Sequence, residues 1–156
     1  MLRRRRFSPW VPVLLSLVLA SPALAQIDEP VVPLQTKQTE LNRFRVEYAE
    51  NFNKHDVAAT LAMYAPDARV IIGNGQVFVG TEQIRGMLTQ SVTEVPHLII
   101  ASDTMAIYGN TAIDIGTTTA HPAAGGEQVS RYIVVLRRDL KGWHLIRVAV
   151  TPVTGM

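Results

Sequence analysis

Few side chains in this 156-residue chain could do chemistry, and two of them stand out by their position. Tyr48 falls on a helical repeat of apolar residues, where its hydroxyl could donate a hydrogen bond or lie at a packed rim. Arg147 falls in an apolar strand run, where a guanidinium needs a partner or solvent. Asp114, in the run AIDIG, is the nearest partner by strand order. A pocket that contains Tyr48 and Arg147 could bind a carboxylate or phenolate group of a ligand. Alternatively, Arg147 and Asp114 form a structural ion pair at the rim of the sheet.

The remaining ionisable residues predict no metal site and no cofactor. Asp56 and Asp67 are typical of a helix cap and a turn. No glycine-rich phosphate loop or nucleophile elbow is visible. The histidines lack the spacings that place two imidazoles on one metal. They are His55, His97, His121 and His144.

The first 25 residues predict a removable export signal. Arg3–Arg6 form a positive front, Val11–Ala20 an apolar run, and Ala23–Ala25 a stretch suited to cleavage. The apolar run is too short to span a bilayer. We therefore expect a periplasmic or secreted protein that is not attached to a membrane once the signal is removed.

Removal of this signal also changes the charge. The chain has fifteen Lys and Arg and thirteen Asp and Glu. Four of the arginines belong to the signal, which leaves eleven basic residues and a net charge of about −2. The remaining basic residues are scattered, so nucleic acid is not an expected partner. The absence of cysteine excludes disulfides and thiolate nucleophiles.

The elements that must position Tyr48 and Arg147 are predicted in the order ααββαββββ. An extended leader, residues 26–37, precedes a single domain over residues 38–153. Its first helix starts near Gln38, and a second helix runs from Val57 to Tyr64 between an Asp56 cap and Pro66. A hairpin, a third helix from Glu82 to Gln90 capped by Thr81, and four antiparallel strands follow. The apolar face of the first helix is predicted to carry Leu41, Phe44, Tyr48 and Phe52.

Pairing across the turn DLKG follows from the two-residue period of strands. If Arg138 faces Trp143, the pairs Val134–Arg147, Tyr132–Ala149 and Ser130–Thr151 lie on the face that the helices cover. The other face would be a subunit interface, although a slipped register or a covering segment would also explain it. That face is predicted to carry Ile133, Val135, Ile146, Val148 and Val150.

Two stretches resemble the nuclear transport factor 2-like superfamily, which includes ketosteroid isomerases and SnoaL-like polyketide cyclases. They are YAENFNKHDVAATLAMYAPDARVIIGNGQVFVGTEQIRGML and GWHLIRVAVTP. The resemblance implies a cystatin-like α+β fold, in which a curved antiparallel sheet forms a cone around the N-terminal helices. It also implies an apolar pocket at the open end of the cone and, usually, a homodimer.

The isomerases of this superfamily use a carboxylate base, a tyrosine and a protonated acid, so the resemblance allows a residue-by-residue comparison. Tyr48 matches the tyrosine donor. The base position falls on Ile72 and the acid-donor position on Val134. Because hydrocarbon side chains cannot exchange protons, steroid-type isomerisation is disfavoured, and whether the chain is an enzyme stays open.

The leading expectation is an exported homodimer that binds a small, mostly apolar molecule without a cofactor or a metal. One alternative is an enzyme of the same fold, of cyclase, dehydratase, hydrolase or isomerase type, that uses Asp114, Asp103 or His97. Another is a dimerisation or protein-interaction module that works through its apolar sheet face and has a filled interior. The predicted pocket residues are Tyr48, Ile72, Tyr132, Val134, Arg147 and Asp114.

Overall fold

The computed structural model describes residues 31–73 and 75–153 and confirms an α+β fold. The predicted signal and the first residues of the predicted leader lie outside the described residues. Within them, no helix is long and apolar enough to cross a membrane. The described elements follow the predicted order and are α1 (Leu34–Asn53), α2 (Val57–Ala62), β1 (Tyr64–Ile72), β2 (Gln76–Val79), α3 (Gly80–Glu94), β3 (His97–Tyr108), β4 (Thr111–His121), β5 (Gln128–Asp139) and β6 (Gly142–Pro152).

Helix α1 begins earlier than the sequence predicts, at Leu34 instead of Gln38. The last residues of the predicted extended leader are therefore helical. Pro33 directly precedes the helix with a φ of −56°, a value that suits entry into a helix. The predicted apolar face is confirmed, because the core contains Leu41, Phe44, Tyr48 and Phe52.

Helix α2 is shorter than predicted, and Pro66 does not end it. The Asp56 carboxylate caps the helix as predicted and accepts a backbone N–H of the first turn at 2.9 Å. The helix ends at Ala62, and Pro66 lies inside β1. Pairing of β1 with β6 is interrupted between Tyr64 and Arg69, around this proline. A strand tolerates proline at such an irregularity, because no ladder hydrogen bond needs its missing N–H.

The predicted Thr81 cap of α3 is wrong. The helix begins at Gly80, and its N-cap residue is Val79, which makes no side-chain cap hydrogen bond. The Val79 N–H instead donates to the Gln83 side-chain oxygen at 2.8 Å. Extended backbone at Val79 and a φ of 75° at Gly80 turn the chain from β2 straight into the helix. The helix also continues to Glu94, past the predicted end.

The six strands form one curved, open sheet in the order β2-β1-β6-β5-β4-β3. The predicted antiparallel run of four strands is confirmed, from β3 to β6. The first hairpin joins it through a parallel pairing of β1 with β6. Helices α1 and α3 lie on the sheet face that we call the inner face.

One extra residue in β6 turns Arg147 away from the inner face. Arg138 pairs with Trp143 as predicted and Leu136 pairs with Leu145, but Val135 pairs with Arg147, so Ile146 has no partner on β5. A β-bulge of this kind reverses the face of every later residue relative to a regular pairing. The three predicted pairs beyond it are therefore wrong. The observed pairs are Val134–Val148, Tyr132–Val150 and Ser130–Pro152.

The same bulge changes the predicted apolar patch. Val148 and Val150 line the space under the helices, so their predicted place in the patch is wrong. Ile133 and Val135 do lie on the other side of the sheet. Neighbouring strands add further aliphatic side chains to them. We call this surface the outer apolar face and define it by Ile71, Val77, Ile133, Val135 and Ala149.

Candidate functional site

A cavity of about 410 Å³ lies between the inner face of the sheet and helices α1 and α3. Its size falls in the range of small-molecule sites, and hydrocarbon makes up most of its wall. Five aromatic rings contribute to that wall, namely Phe44, Tyr48, Phe52, Tyr64 and Tyr132.

The cavity brings together five of the six predicted site residues. Tyr48, Ile72, Asp114, Tyr132 and Val134 all line it. Arg147 does not, because the β6 bulge places it in a shallow depression on the opposite side of the sheet. Its Nη1 donates there to the backbone carbonyl of Asp67 at 3.4 Å. The predictions that Arg147 lines the pocket and pairs with Asp114 are therefore wrong.

Asp114 is a buried carboxylate in the cavity wall, and its cationic partner is Arg45 of α1. The Nε and Nη2 atoms of Arg45 lie 3.1 and 3.0 Å from Asp114 Oδ2. The Ser102 hydroxyl donates to Oδ1, and the Tyr132 hydroxyl donates to Oδ2 at 3.2 Å. Three side chains thus direct protons at a residue that is only 5% exposed. A buried charge is tolerated when it is paired and hydrogen-bonded in this way.

Gly116 gives Tyr132 the space that it needs to reach Asp114. Gly116 lies directly opposite Tyr132 on one neighbouring strand and opposite Ser102 on the other. A Cβ at this glycine would lie 2.6 Å from the Tyr132 hydroxyl, which is too close for any real contact. The register of β3 with β4 also shifts directly after Ser102. The absence of a side chain at Gly116 and the bulge in β3 therefore allow Tyr132 and Ser102 to contact the Asp114 carboxylate.

The environment of Tyr132 keeps its hydroxyl protonated. Burial, followed by the negative charge of Asp114, raises the pKa of Tyr132 to about 12, although Arg45 acts in the opposite direction. At physiological pH the phenol is therefore neutral. Its proton is held in the hydrogen bond to the carboxylate.

Tyr48 and Tyr64 form a second polar group in the cavity, which we call the phenol pair. Their hydroxyl oxygens lie 2.7 Å apart, and the rings meet edge to face with centroids 6.1 Å apart. Burial raises the pKa of both hydroxyls, so both stay neutral. Only one of their two protons can occupy the hydrogen bond between them. The other has no acceptor among the described residues, which leaves one O–H donor for a ligand.

Sequence comparison identifies the family of this chain. Residues 46–142 match the model of the SnoaL-like domain. The chain belongs to the SnoaL-like family. This places it in the nuclear transport factor 2-like superfamily, as the resemblance implied. No curated protein matches the sequence of this SnoaL-like domain.

Solved structures share the fold of this SnoaL-like domain at low sequence identity. A cystatin-like domain of unknown function from Nostoc punctiforme has a TM-score of 0.69 and 15% identity, over 80% of this chain and 82% of that one. A nuclear transport factor 2-like protein from Novosphingobium aromaticivorans has a TM-score of 0.68 and 16% identity, over 79% of this chain and 86% of that one. A ketosteroid isomerase-like protein from Erwinia carotovora atroseptica has a TM-score of 0.65 and 17% identity, over 75% of this chain and 96% of that one. At such identities the likeness shows the fold alone.

The isomerase positions implied by the resemblance are hydrocarbon in this SnoaL-like domain. Ile72 and Val134 line the cavity where the base and the acid donor were expected. Neither side chain can take up or release a proton. Of the three isomerase positions, only that of Tyr48 carries the expected residue type. The Tyr48 hydroxyl forms a hydrogen bond with the Tyr64 hydroxyl.

The other proposed acids and bases do not line the cavity. Asp103 forms an ion pair with Arg131 at 2.7 Å, and both side chains are largely exposed. His97 stacks on His121 with ring centroids 5.6 Å apart. In the part of the chain that the structure describes, no group of three or more His, Cys, Asp and Glu side chains could hold a metal ion.

Three residues of the two hydrogen-bonded groups, Arg45, Tyr64 and Ser102, were not predicted from the sequence. Arg45 precedes Tyr48 by three residues and so shares its helix face, a signal that could have revealed it. Tyr64 was assigned to the end of α2, yet it opens β1 and faces the cavity. Ser102 could not have been found, because its contact with Asp114 depends on the register of β3.

Proposed function

We propose that this SnoaL-like domain binds a small, mostly apolar molecule in the cavity between α1, α3 and the sheet. The observation that carries the proposal is the cavity itself, with about 410 Å³ of space and a mainly hydrocarbon wall. Such a volume suits a molecule of a few fused rings. Covering this wall would contribute roughly 25 cal/mol for each Å² of apolar surface removed from water.

The ligand of this site is not expected to be an anion. Among the described residues that line the cavity, Arg45 is the only lysine or arginine, and Asp114 neutralises it. Glu94 also lines the cavity and would repel an anion. The wall therefore offers hydrogen bonds without net positive charge. The sequence predicted that Arg147 would bind a carboxylate of the ligand. Arg147 lies outside the cavity, so that interaction is not expected.

Native mass spectrometry of the protein purified from its own compartment tests the proposal. A retained small molecule is the expected result, and its mass would define the ligand. The substitution Val134→Phe fills the cavity and should abolish retention. Ile133→Phe is the matched control, because Ile133 adjoins Val134 and belongs to the outer apolar face. Equal retention by both variants would place the molecule elsewhere and contradict the proposal.

An enzyme of the same fold is the second candidate, favoured by the presence of Asp114 in the cavity wall. To act as a base, Asp114 must have an open lone pair and a low cost of protonation. Three neighbours already donate to it, including Arg45, so binding without proton abstraction is the better-supported function. Conversion of the identified ligand into another compound on incubation, detected by chromatography and lost in Asp114→Asn, would reverse that preference.

Export and homodimer formation belong to the same proposal. Ile133 and Val77 of the outer apolar face are 50% and 48% exposed, and exposed aliphatic surfaces of this kind mark interaction sites. Light scattering should give twice the mass of the mature chain. A monomer at micromolar concentration would contradict the dimer. The interaction-module alternative predicted a filled interior, whereas this domain contains the cavity.

A further inference from the structure

We propose that His97 and His121 together bind one divalent transition-metal ion on the surface of the sheet. The two histidines lie directly opposite each other on the neighbouring strands β3 and β4. Their rings are stacked, with centroids 5.6 Å apart and planes inclined by 27°. The sequence predicted no metal site, because the two residues are distant along the chain and only strand pairing brings them together. The inference does not depend on the proposed cavity ligand.

Both imidazoles are available as metal ligands. Among the described residues, neither ring takes part in a hydrogen bond or an ion pair. His97 is exposed and His121 is half-buried, so an ion in solution can reach the pair. A neutral imidazole has one ring nitrogen with a free lone pair, and this is the nitrogen that binds a metal. Two such lone pairs are therefore available at one point of the surface.

The spacing of the two rings suits a single ion. A histidine nitrogen lies about 2.0–2.1 Å from a bound metal, which places the centroids of two rings on one ion roughly 5 Å apart. The observed separation of 5.6 Å is close to that value. The torsion that turns a histidine ring about its bond to Cβ is broad, so a small rotation closes the remaining gap at little cost.

The backbone holds both histidines in place before an ion binds. Leu98 directly follows His97, and the Asn53 side chain binds both its N–H and its carbonyl. On the other strand, His121 precedes Pro122, and the proline ring restricts the residue before it to extended backbone. Ligands that are already fixed lose little conformational freedom on binding, which favours affinity.

The pair lies on the opposite side of the sheet from the cavity. Successive side chains of a strand point to opposite faces. Leu98 and Ala120, which adjoin the two histidines, line the cavity, so His97 and His121 project from the other face. Among the described residues no third His, Cys, Asp or Glu joins them. Water would therefore complete the coordination of the ion, as it does at open metal sites.

The ligand type selects the class of metal. Imidazole suits copper, nickel and zinc, whereas calcium and magnesium prefer oxygen ligands. For a given site of this kind, affinity among the divalent ions is highest for copper. We therefore expect Cu²⁺ to bind most tightly, Ni²⁺ and Zn²⁺ to bind more weakly, and Mg²⁺ not to bind at this site.

Calorimetric titration of the untagged mature chain with copper(II) chloride tests the inference. One ion per chain is expected. His97→Gln and His121→Gln should each weaken binding at least about tenfold, because the second imidazole acts on an ion that the first already holds. His55→Asn is the matched control and should bind copper as the wild type does. His55 is an exposed histidine with a φ of 57°, a backbone conformation that asparagine also tolerates.

Electron paramagnetic resonance of the copper-loaded chain identifies the ligands directly. The wild type should show coupling to two nitrogen donors, and each glutamine variant should show fewer. Thermal unfolding without metal confirms that each variant is folded. Absence of saturable copper binding, unchanged binding in both glutamine variants, an equal loss in His55→Asn, or equally tight binding of Mg²⁺ would each overturn the inference. None of these outcomes would affect the proposed cavity function.

Discussion

Arg45 and Asp114 form a buried ion pair that joins helix α1 to strand β4 through the cavity wall. Arg45 Nη2 lies 3.0 Å from Asp114 Oδ2, and the two side chains are only 18% and 7% exposed. Breaking such a pair from one side leaves the other charge without compensation in a poorly solvated site. The pair therefore stabilises the α1–sheet contact and leaves the cavity wall without net positive charge.

Replacement of Arg45 by methionine should be strongly destabilising. The variant keeps most of the aliphatic volume but leaves the Asp114 carboxylate without its cation, so the free energy of unfolding should fall by about 3–5 kcal/mol. Denaturant unfolding followed by Trp143 fluorescence measures this change. Lys54→Met is the control, because Lys54 forms an exposed pair with Glu50 and should change stability by about 0.5 kcal/mol or less. Similar losses in the two variants would contradict a structural role for the buried pair.

Substitution of Gly116 by alanine should disrupt the Asp114 cluster. The added Cβ would collide with the Tyr132 hydroxyl and with the Ala101 carbonyl, so we expect a loss of about 1–3 kcal/mol in unfolding free energy. The Tyr132 hydroxyl should also lose its hydrogen bond to Asp114. Gly86→Ala is the control, because Gly86 lies on the exposed side of α3 with no neighbouring atom within 4 Å. That variant should be up to about 1 kcal/mol more stable than wild type, and equal destabilisation of both would refute the account of Gly116.

The sequence predicted the fold well because regular periodicity carries that information. The apolar face of α1 and the residues of β3 to β6 followed from repeats of three to four and of two residues. The position of Arg147 could not be predicted in this way. The single extra residue Ile146 places each later residue of β6 on the opposite face of the sheet. No local signal marks that bulge. The register error therefore moved one predicted site residue to the wrong side of the sheet and left the others in place.

The polar residues of the site were harder to predict than its apolar residues. Ile72 followed from the family resemblance and Val134 from the strand register and that resemblance, whereas the partner of Asp114 depends on how α1 crosses the sheet. Tyr64 was assigned to a helix because Pro66 predicted that α2 continues to this point. In the structure, α2 ends at Ala62 and Tyr64 begins β1. Tertiary contacts of this kind have no counterpart in sequence spacing.

Asn53 should protect the start of edge strand β3. Its side-chain amide donates to the Leu98 carbonyl at 3.0 Å and accepts the Leu98 N–H at 2.7 Å, in the manner of a neighbouring strand. Asn53→Ala leaves both backbone groups unpaired, so the Leu98 amide should exchange with solvent faster. Asn53→Asp keeps the acceptor and should preserve the protection of that amide. Amide hydrogen exchange by NMR measures the effect, and unchanged exchange in the alanine variant would contradict it.

Glu40 should contribute stability that depends on pH. The hydrogen bond from Arg138 is the main cause that lowers the pKa of Glu40 below its ordinary value of 4.5, and the Trp143 indole N–H adds to it. A carboxyl with a lowered folded-state pKa stabilises the fold above its unfolded-state pKa. That stabilisation is lost as the pH falls through the folded-state value.

The comparison of wild type with Glu40→Gln tests this linkage. The wild type should be more stable than the variant at about pH 7, and the difference should shrink as the pH is lowered through the folded-state pKa of Glu40. Denaturant unfolding at a series of pH values gives the result. Glu50→Gln is the control for an exposed carboxylate. A difference between wild type and Glu40→Gln that does not vary with pH would contradict the role of the carboxylate charge.

The most direct test of the central claim is a crystal structure of the mature chain with the small molecule that it retains on purification. The account predicts electron density for one molecule in the cavity, in contact with Ile72 and Val134. Density confined to the outer apolar face, or a cavity occupied by rearranged protein side chains, would contradict it.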